Sequence, residues 1–178
     1  MRHEIRFSGF GGQGIILAAV ILGRAAALYD GKYAVQTQVY GPEARGGASM
    51  SAVIIDDEPI LYPEVSVPDT YVIMSQEGFE RYGAKAPEKA VMLIDPDMVE
   101  GRPACPVHEI PATTEARNTL GKVIVANIVM LGALVAATGI VSEDAIEKAV
   151  LDSVPKGTEK LNMSALKRGM ELVKGKKI

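Results

Sequence analysis

Short apolar runs separated by glycine- and proline-rich turns characterise the first half of the chain. Such short runs are typical of strands, whereas longer runs with helical spacing are typical of helices. The pattern predicts a glycine loop over residues 9–14 and a helix over residues 15–29, closed by Asp30 and Gly31. Strands are predicted over residues 4–8, 32–38, 49–55, 70–74 and 91–94, with a short helix or helical turn over residues 76–82.

Helical patterns dominate the second half. An apolar helix is predicted over residues 123–138, Ser142 is predicted to be the N-cap of the next helix, and Asn162 the N-cap of a last helix over residues 163–174. Strands interleaved with helices predict an α/β fold, a three-layer α/β/α domain with a mostly parallel sheet. The sheet becomes mixed if the strand over residues 49–55 returns antiparallel. Since nothing resembles an interdomain linker, residues 1–178 are expected to form a single domain.

The two central helices carry almost no charge. The helix over residues 15–29 holds only Arg24, and the helix over residues 123–138 holds no charged residue. Neither has the polar stripe of a helix that faces water. Two interpretations stay open: both helices are fully central, or an exposed apolar patch is buried by another chain, which for the isolated protein could be a second copy.

Composition excludes several classes of partner. The chain contains 19 lysine and arginine residues and 22 aspartate and glutamate residues, which gives a net charge of −3. There is therefore no basic field to hold nucleic acid. The most apolar run, over residues 123–138, is too short for a bilayer and contains Asn127, so we predict no transmembrane segment and no membrane partner. The first residues lack a signal-peptide pattern, which leads us to expect a cytoplasmic protein.

A single cysteine, Cys105, limits the chemistry of the chain. It cannot form an internal disulfide or supply the several thiolates of an iron–sulfur cluster or a structural zinc site. We interpret Cys105 as a structural thiol rather than a nucleophile paired with His108. The acidic clusters Asp56-Asp57-Glu58 and Asp95-Pro96-Asp97 are interpreted as solvated turns. No metal site and no catalytic residue are therefore predicted on this chain.

The segment Gly-Phe-Gly-Gly-Gln-Gly at residues 9–14 has the spacing of a phosphate-binding turn between a strand and a helix. A dinucleotide site also needs an acidic residue at the end of the second strand, where the sequence places Gln38, Val39 and Tyr40. Three alternatives remain: a free-standing Rossmann-like nucleotide- or anion-binding domain, a tight packing turn, or a contact with a neighbour's cofactor. The candidate cofactor contacts are Gly11, Gly12, Gln13 and Gly14.

A second glycine-rich loop at residues 40–47 presents Arg45 between glycines. The planar guanidinium fork suits a carboxylate or a phosphate, although an ordinary connection between strands with a solvated Arg45 is the alternative. The candidate substrate or interface residues are Tyr40, Gly41, Pro42, Glu43, Arg45, Gly46 and Gly47.

Together, residues 5–14 (IRFSGFGGQG) and 36–49 (QTQVYGPEARGGAS) resemble the γ subunits of 2-oxoacid:ferredoxin oxidoreductases, most closely the 2-oxoglutarate members. The resemblance implies a fold like the γ domain of pyruvate:ferredoxin oxidoreductase. It also implies an oxidoreductase complex that converts a 2-oxoacid to acyl-CoA and CO2, using thiamine diphosphate, Mg2+, iron–sulfur clusters and coenzyme A. Its other chains would be α, β and ferredoxin-like δ subunits, with ferredoxin as the electron acceptor.

In that family the γ chain carries none of the redox centres, so this chain is expected to hold no cofactor of its own. Our leading hypothesis is therefore a non-catalytic subunit that completes the complex and is inactive in isolation. The resemblance places both glycine loops at or near a subunit interface close to the active centre.

Overall fold

A mixed β-sheet lies at the centre of the computed structural model, which describes residues 1–39 and 47–174. Its strands in these residues are β1 His3–Phe10, β2 Tyr33–Val39, β3 Ala48–Asp56, β4 Thr70–Ile73, β5 Val91–Ile94 and β6 Val107–Glu109, in the order β2-β3-β1-β4-β5-β6. β1, β4, β5 and β6 pair in parallel, whereas β3 is antiparallel to both of its neighbours. The predicted α/β fold with a mixed sheet is confirmed.

Helices cover one face of this sheet more fully than the other. They are α1 Ile15–Arg24, α2 Gln76–Gly78, α3 Ala112–Thr114, α4 Ala126–Thr138, α5 Glu143–Ser153 and α6 Glu159–Val173. π-helical turns extend α1 over Ala25–Tyr29, α2 over Phe79–Gly83 and α3 over Glu115–Thr119, and a 3₁₀ turn over Val123–Val125 precedes α4. Within the described ranges, none of these helices has the length and apolarity to cross a membrane.

The main core lies between the sheet and the helices α1, α4, α5 and α6. Ile5 and Phe7 of β1 and Val53 of β3 enter it, because alternate residues of a strand share a face. The opposite face holds a smaller cluster around Tyr71 and Ile73. There it is covered by the short α2 segment and by irregular chain, so the two outer layers are unequal.

The two apolar helices differ in their surroundings. The predicted helix over residues 123–138 is buried continuously over residues 126–135, so it is central along that part, whereas Val123 and Ile124 at its start are 46% and 67% exposed. α1 buries Ile21 and Leu22, but Leu17 is 37% exposed and Leu28, in the π-helical turn that follows, is 61% exposed. Each of the two predicted helices therefore keeps some apolar surface that another chain could cover, at Leu17 and Leu28 for the first and at the residues just before α4 for the second.

The helix starts show one correct prediction and one error. Ser142 caps α5, since its Oγ accepts a hydrogen bond from the Ala145 N–H at 3.1 Å. Asn162 is not an N-cap: it lies inside α6, where its Nδ2 donates to the backbone oxygen of Thr158 at 3.0 Å. The helix begins one turn earlier than predicted, because the turn at Gly157 already reverses the chain.

Candidate functional site

The carboxyl edge of the sheet brings the two glycine-rich segments together. β1 pairs with β3 so that Phe10 lies opposite Ala48, which places the glycine loop over residues 9–14 beside Gly47 and the start of β3. Ligands of open α/β sheets bind at this edge, outside the carboxyl ends of the parallel strands. Six of the predicted residues of the second loop, Tyr40, Gly41, Pro42, Glu43, Arg45 and Gly46, lie outside the described residues.

The glycines of the first loop divide into two kinds. Gly12 and Gly14 have positive φ angles of 96° and 75°, a backbone conformation that residues with a side chain rarely adopt. A Cβ at Gly14 would lie 2.4 Å from Nδ2 of Asn127, so Gly14 is needed for packing against α4. A Cβ at Gly11 or Gly12 would meet nothing within 4 Å. These two glycines therefore present bare backbone to the outside.

Gln13 fixes the loop rather than facing a ligand. Its Oε1 accepts a hydrogen bond from the Phe10 N–H at 2.8 Å, and its Nε2 donates to the Met74 oxygen at 2.8 Å. Asn127 adds a third tie, because its Nδ2 donates to the Gly14 oxygen at 3.1 Å. The loop is thus held to β4 and α4 before any partner binds, and Gln13 has both polar atoms occupied.

A shallow cleft of about 270 Å³ opens beside the loop, lined by Phe10, Gly12, Gly14, Ile15, Ile16, Leu17 and Ser49. The first turn of α1 borders it without an acidic residue and without a side-chain cap. The free N–H groups of this turn could donate hydrogen bonds to an anionic or polar group. Among the residues that the structure describes, the lining contains no thiol, imidazole or carboxylate for acid–base or nucleophilic chemistry.

Glu77 and Ser75 were not singled out by sequence reasoning, yet they shape this edge. Glu77 Oε1 accepts a hydrogen bond from the Ala48 N–H at 3.0 Å and so fixes the start of β3. Ser75 caps α2 by accepting from the Gly78 N–H at 3.1 Å. A serine just before a helical turn is a recognisable N-cap signal, whereas nothing near Glu77 in the sequence points to the distant Ala48.

An apolar groove adjoins the cleft at the ends of four helices. This helix-end groove has a volume of about 240 Å³ and is lined by Gly14, Leu17, Ile124, Val125, Asn127, Ile128, Val154, Pro155, Thr158, Leu161 and Asn162. Ile124 is 67% exposed at its rim. Apolar surface beside an open glycine loop is typical of a region that another protein covers.

The strand order of the sheet does not fit a dinucleotide-binding site of the Rossmann type. In a Rossmann fold the second strand lies directly beside the first, so that its end meets the glycine loop. Here β3 is inserted antiparallel between β1 and β2. The end of β2 is therefore one strand removed from the loop, in addition to lacking the acidic residue.

The other candidate groups lie away from this edge or are used structurally. Cys105 is 5% exposed, and burial raises the pKa of its thiol, as expected for a structural cysteine. The interpretation of Asp95 as part of a solvated turn is wrong, because Asp95 is fully buried and accepts hydrogen bonds from Thr113 and Asp97. In residues 1–39 and 47–174 no group of at least 3 His, Cys, Asp or Glu side chains could hold a metal ion.

Gln13→Ala should loosen the glycine loop without unfolding the protein. It removes the hydrogen bonds to Phe10 and Met74, each worth about 1 kcal/mol. We expect faster hydrogen exchange at the Phe10 amide and unchanged exchange at Ala145, which lies in the distant α5. Unchanged exchange at Phe10 would show that Gln13 does not hold the loop.

Known proteins match this chain along nearly its whole length. The sequence model of the family described as pyruvate ferredoxin/flavodoxin oxidoreductase matches residues 4–172. The KorC subunit of 2-oxoglutarate synthase from Methanocaldococcus jannaschii is 57% identical over 178 residues, which cover 98% of this chain and 95% of that protein. The PorC subunit of pyruvate synthase from Methanothermobacter thermautotrophicus is 38% identical over 173 residues, covering 94% of each.

The same architecture is found in a solved structure. The γ subunit of a keto/oxoacid ferredoxin oxidoreductase from Geobacter sulfurreducens PCA superposes with a TM-score of 0.85 at 48% identity. The match covers 96% of this chain and 97% of that one.

Proposed function

Because the chain belongs to the pyruvate ferredoxin/flavodoxin oxidoreductase family, we propose that it is the γ subunit of a 2-oxoacid:ferredoxin oxidoreductase acting on 2-oxoglutarate. The observation that carries the proposal is the 57% identity to a 2-oxoglutarate synthase subunit over 98% of this chain. The identity to a pyruvate synthase subunit is lower, at 38%. This difference favours 2-oxoglutarate over pyruvate as the substrate of the complex.

The assembled complex would oxidatively decarboxylate the 2-oxoacid. The bond between the carboxylate and the keto carbon breaks, CO2 leaves, the acyl group forms a thioester with coenzyme A as the thiol loses its proton, and the two electrons released pass one at a time to ferredoxin. Thiamine diphosphate with Mg2+ would supply carbanion stabilisation, and iron–sulfur clusters would carry the electrons. We place these groups on the α, β and ferredoxin-like δ subunits. The single, buried Cys105 supports this placement, since this chain offers one thiolate where a cluster needs several.

Within the complex, the γ chain would act by presenting a fixed edge to its neighbours. Gly11 and Gly12 offer open backbone, while Gln13 and Gly14 hold the loop in place. The pairing of Phe10 with Ala48 sets Gly47 beside it. We propose that the glycine loop and the loop at residues 40–47 together approach a partner subunit's cofactor or substrate, with the helix-end groove as part of the same interface.

The cell compartment and domain content follow from the same proposal. A complex that uses coenzyme A and ferredoxin would work in the cytoplasm. The family match over residues 4–172 supports one domain for residues 1–178.

Reconstitution tests the proposal. The chain is co-expressed with and without the α, β and δ subunits, and ferredoxin reduction is measured with 2-oxoglutarate, pyruvate and a branched-chain 2-oxoacid. We expect turnover only in the full complex, with the highest kcat/KM for 2-oxoglutarate, and none from the isolated chain. Turnover by the isolated chain, full activity of a complex lacking it, or preference for another 2-oxoacid would contradict the proposal.

A further inference from the structure

The connection between β3 and β4 exposes large apolar side chains. We call residues 57–69 the acidic arm. Leu61 is 94% exposed, Tyr62 60% and Val67 58%. The arm lies on the face of the sheet opposite α1 and α4, since Val65 packs with Ala52 and Ile54, the residues of β3 that alternate with those of the main core. This surface is therefore separate from the glycine loop.

The arm is anchored, so its exposed side chains are not those of a loose loop. Val65 is only 8% exposed. Arg6 Nη2 donates to the Val65 oxygen at 3.0 Å, and Arg2 Nη2 donates to the Tyr62 oxygen at 3.1 Å. The arm also contains prolines, which restrict its backbone, at Pro59, Pro63 and Pro68. A fixed backbone that presents an exposed leucine and tyrosine loses little entropy on binding, which is the property of an interface anchor.

Charge decides what kind of partner fits. The arm contains Asp57, Glu58, Glu64 and Asp69, follows Asp56 and has no lysine or arginine. The N-terminal amino group of Met1 pairs with Asp56 and Asp57. Glu58 and Glu64 stand on either side of the exposed Leu61 and Tyr62 without an ion pair to any described Lys or Arg. Glu64 also accepts a hydrogen bond from the Tyr62 hydroxyl at 2.6 Å. The positive charge of Arg2, which lies at the Tyr62 backbone, is paired with Glu4, so the unpaired charge beside Leu61 and Tyr62 is negative.

We propose that the acidic arm is a docking surface for a different subunit, one that presents an apolar pocket bordered by lysine and arginine side chains. Leu61 and Tyr62 fill the pocket, and Glu58 and Glu64 meet the basic border. A second copy of this chain does not fit, since a two-fold contact between arms would bring the same carboxylates together. The inference rests on the proposed function, which supplies the other subunit. The docking role of the acidic arm does not depend on any role of the glycine loop.

Binding of the purified chain to the co-expressed α, β and δ subunits tests the inference. The variants are the double substitution Leu61→Ser with Tyr62→Ser, and the charge reversal Glu58→Lys with Glu64→Lys. The matched control is Leu151→Ser, an exposed leucine of α5 on the other face of the sheet. We expect each arm variant to raise Kd at least about tenfold and the control to leave it unchanged. High salt should weaken binding of the wild type more than that of the charge reversal.

The outcomes separate the two proposals. Thermal unfolding should be the same for all variants, since the substituted side chains are largely exposed. If neither the wild type nor Leu151→Ser binds the other subunits, the proposed function fails. If the wild type binds and the arm variants bind as tightly, the arm inference is overturned and the proposed function stands. An isolated wild-type dimer that the Leu61 and Tyr62 substitutions dissociate would instead identify a second copy as the occupant.

Discussion

Gly169→Ala is expected to lower the free energy of unfolding by roughly 3 kcal/mol. A Cβ at Gly169 of α6 would lie 1.9 Å from the Val129 oxygen of α4, and the reciprocal Cβ at Gly132 would lie 2.1 Å from the Leu166 oxygen. These contacts involve backbone atoms, which cannot turn aside as a flexible side chain can. The two helices must separate, and the core around α4 loses its close packing.

Gly23→Ala is the matched control, since Gly23 also lies in a helix and is buried. Its Cβ would lie 4.0 Å from Cγ1 of Val53, an ordinary contact. Alanine at such a site should leave stability unchanged or raise it by up to about 1 kcal/mol. Urea denaturation measures both variants. Equal stability of Gly169→Ala and Gly23→Ala would show that the contact between α4 and α6 is not as close as described.

Asp95→Ala is expected to lower the free energy of unfolding by a similar amount, roughly 3 kcal/mol. The fully buried carboxylate accepts hydrogen bonds from the Thr113 N–H at 2.9 Å, the Thr113 hydroxyl at 2.6 Å and the Asp97 N–H at 3.1 Å. Removing it leaves these donors without a partner next to the start of α3. Asp97→Ala is the control: Asp97 accepts the Thr114 N–H at 2.8 Å but is exposed, so water can replace it at a cost of about 1 kcal/mol.

The pH dependence of stability gives a second measurement at Asp95. Burial raises the pKa of the Asp95 carboxyl, against the opposing effect of the Thr113 hydrogen bonds. The folded protein therefore binds the proton more tightly than the unfolded chain. The protonated Asp95 carboxyl therefore contributes to the free energy of unfolding in full below the pKa that this group has in the unfolded chain. That contribution is lost as the pH rises through its pKa in the folded protein. Asp95→Asn, which cannot ionise, should lack this decline, and an identical pH profile in both proteins would contradict the assignment.

Local patterns predicted the elements whose signals are contained in adjacent residues. The buried runs at β4 and β5, the helix start at Ser142 and the glycine loop after β1 all depend on a few neighbouring residues. β6 was missed because it has only 3 residues and follows a proline-rich stretch. The helix at α3 was missed for a related reason: its start is fixed by Asp95, which is distant in sequence.

The candidate site was predictable in part. The sequence identified the glycine loop, and its resemblance to a known family joined that loop to the segment at residues 40–47. It did not show that Gln13 is used internally, because its partner Met74 lies far along the chain. Nor did it distinguish the packing glycine, Gly14, from the open Gly12, since only the position of Asn127 makes that difference.

The position of β1 in the sheet also constrains how the polypeptide folds as it leaves the ribosome. β1 precedes its partners β3 and β4 in the chain, and α1, which packs on these strands, is also covered in part by α5, which begins at Glu143. Contacts between such distant segments form slowly and only after the later segment has been made. The part of α1 that packs against α5 therefore stays uncovered until α5 has been synthesised, so the nascent chain exposes apolar surface during translation.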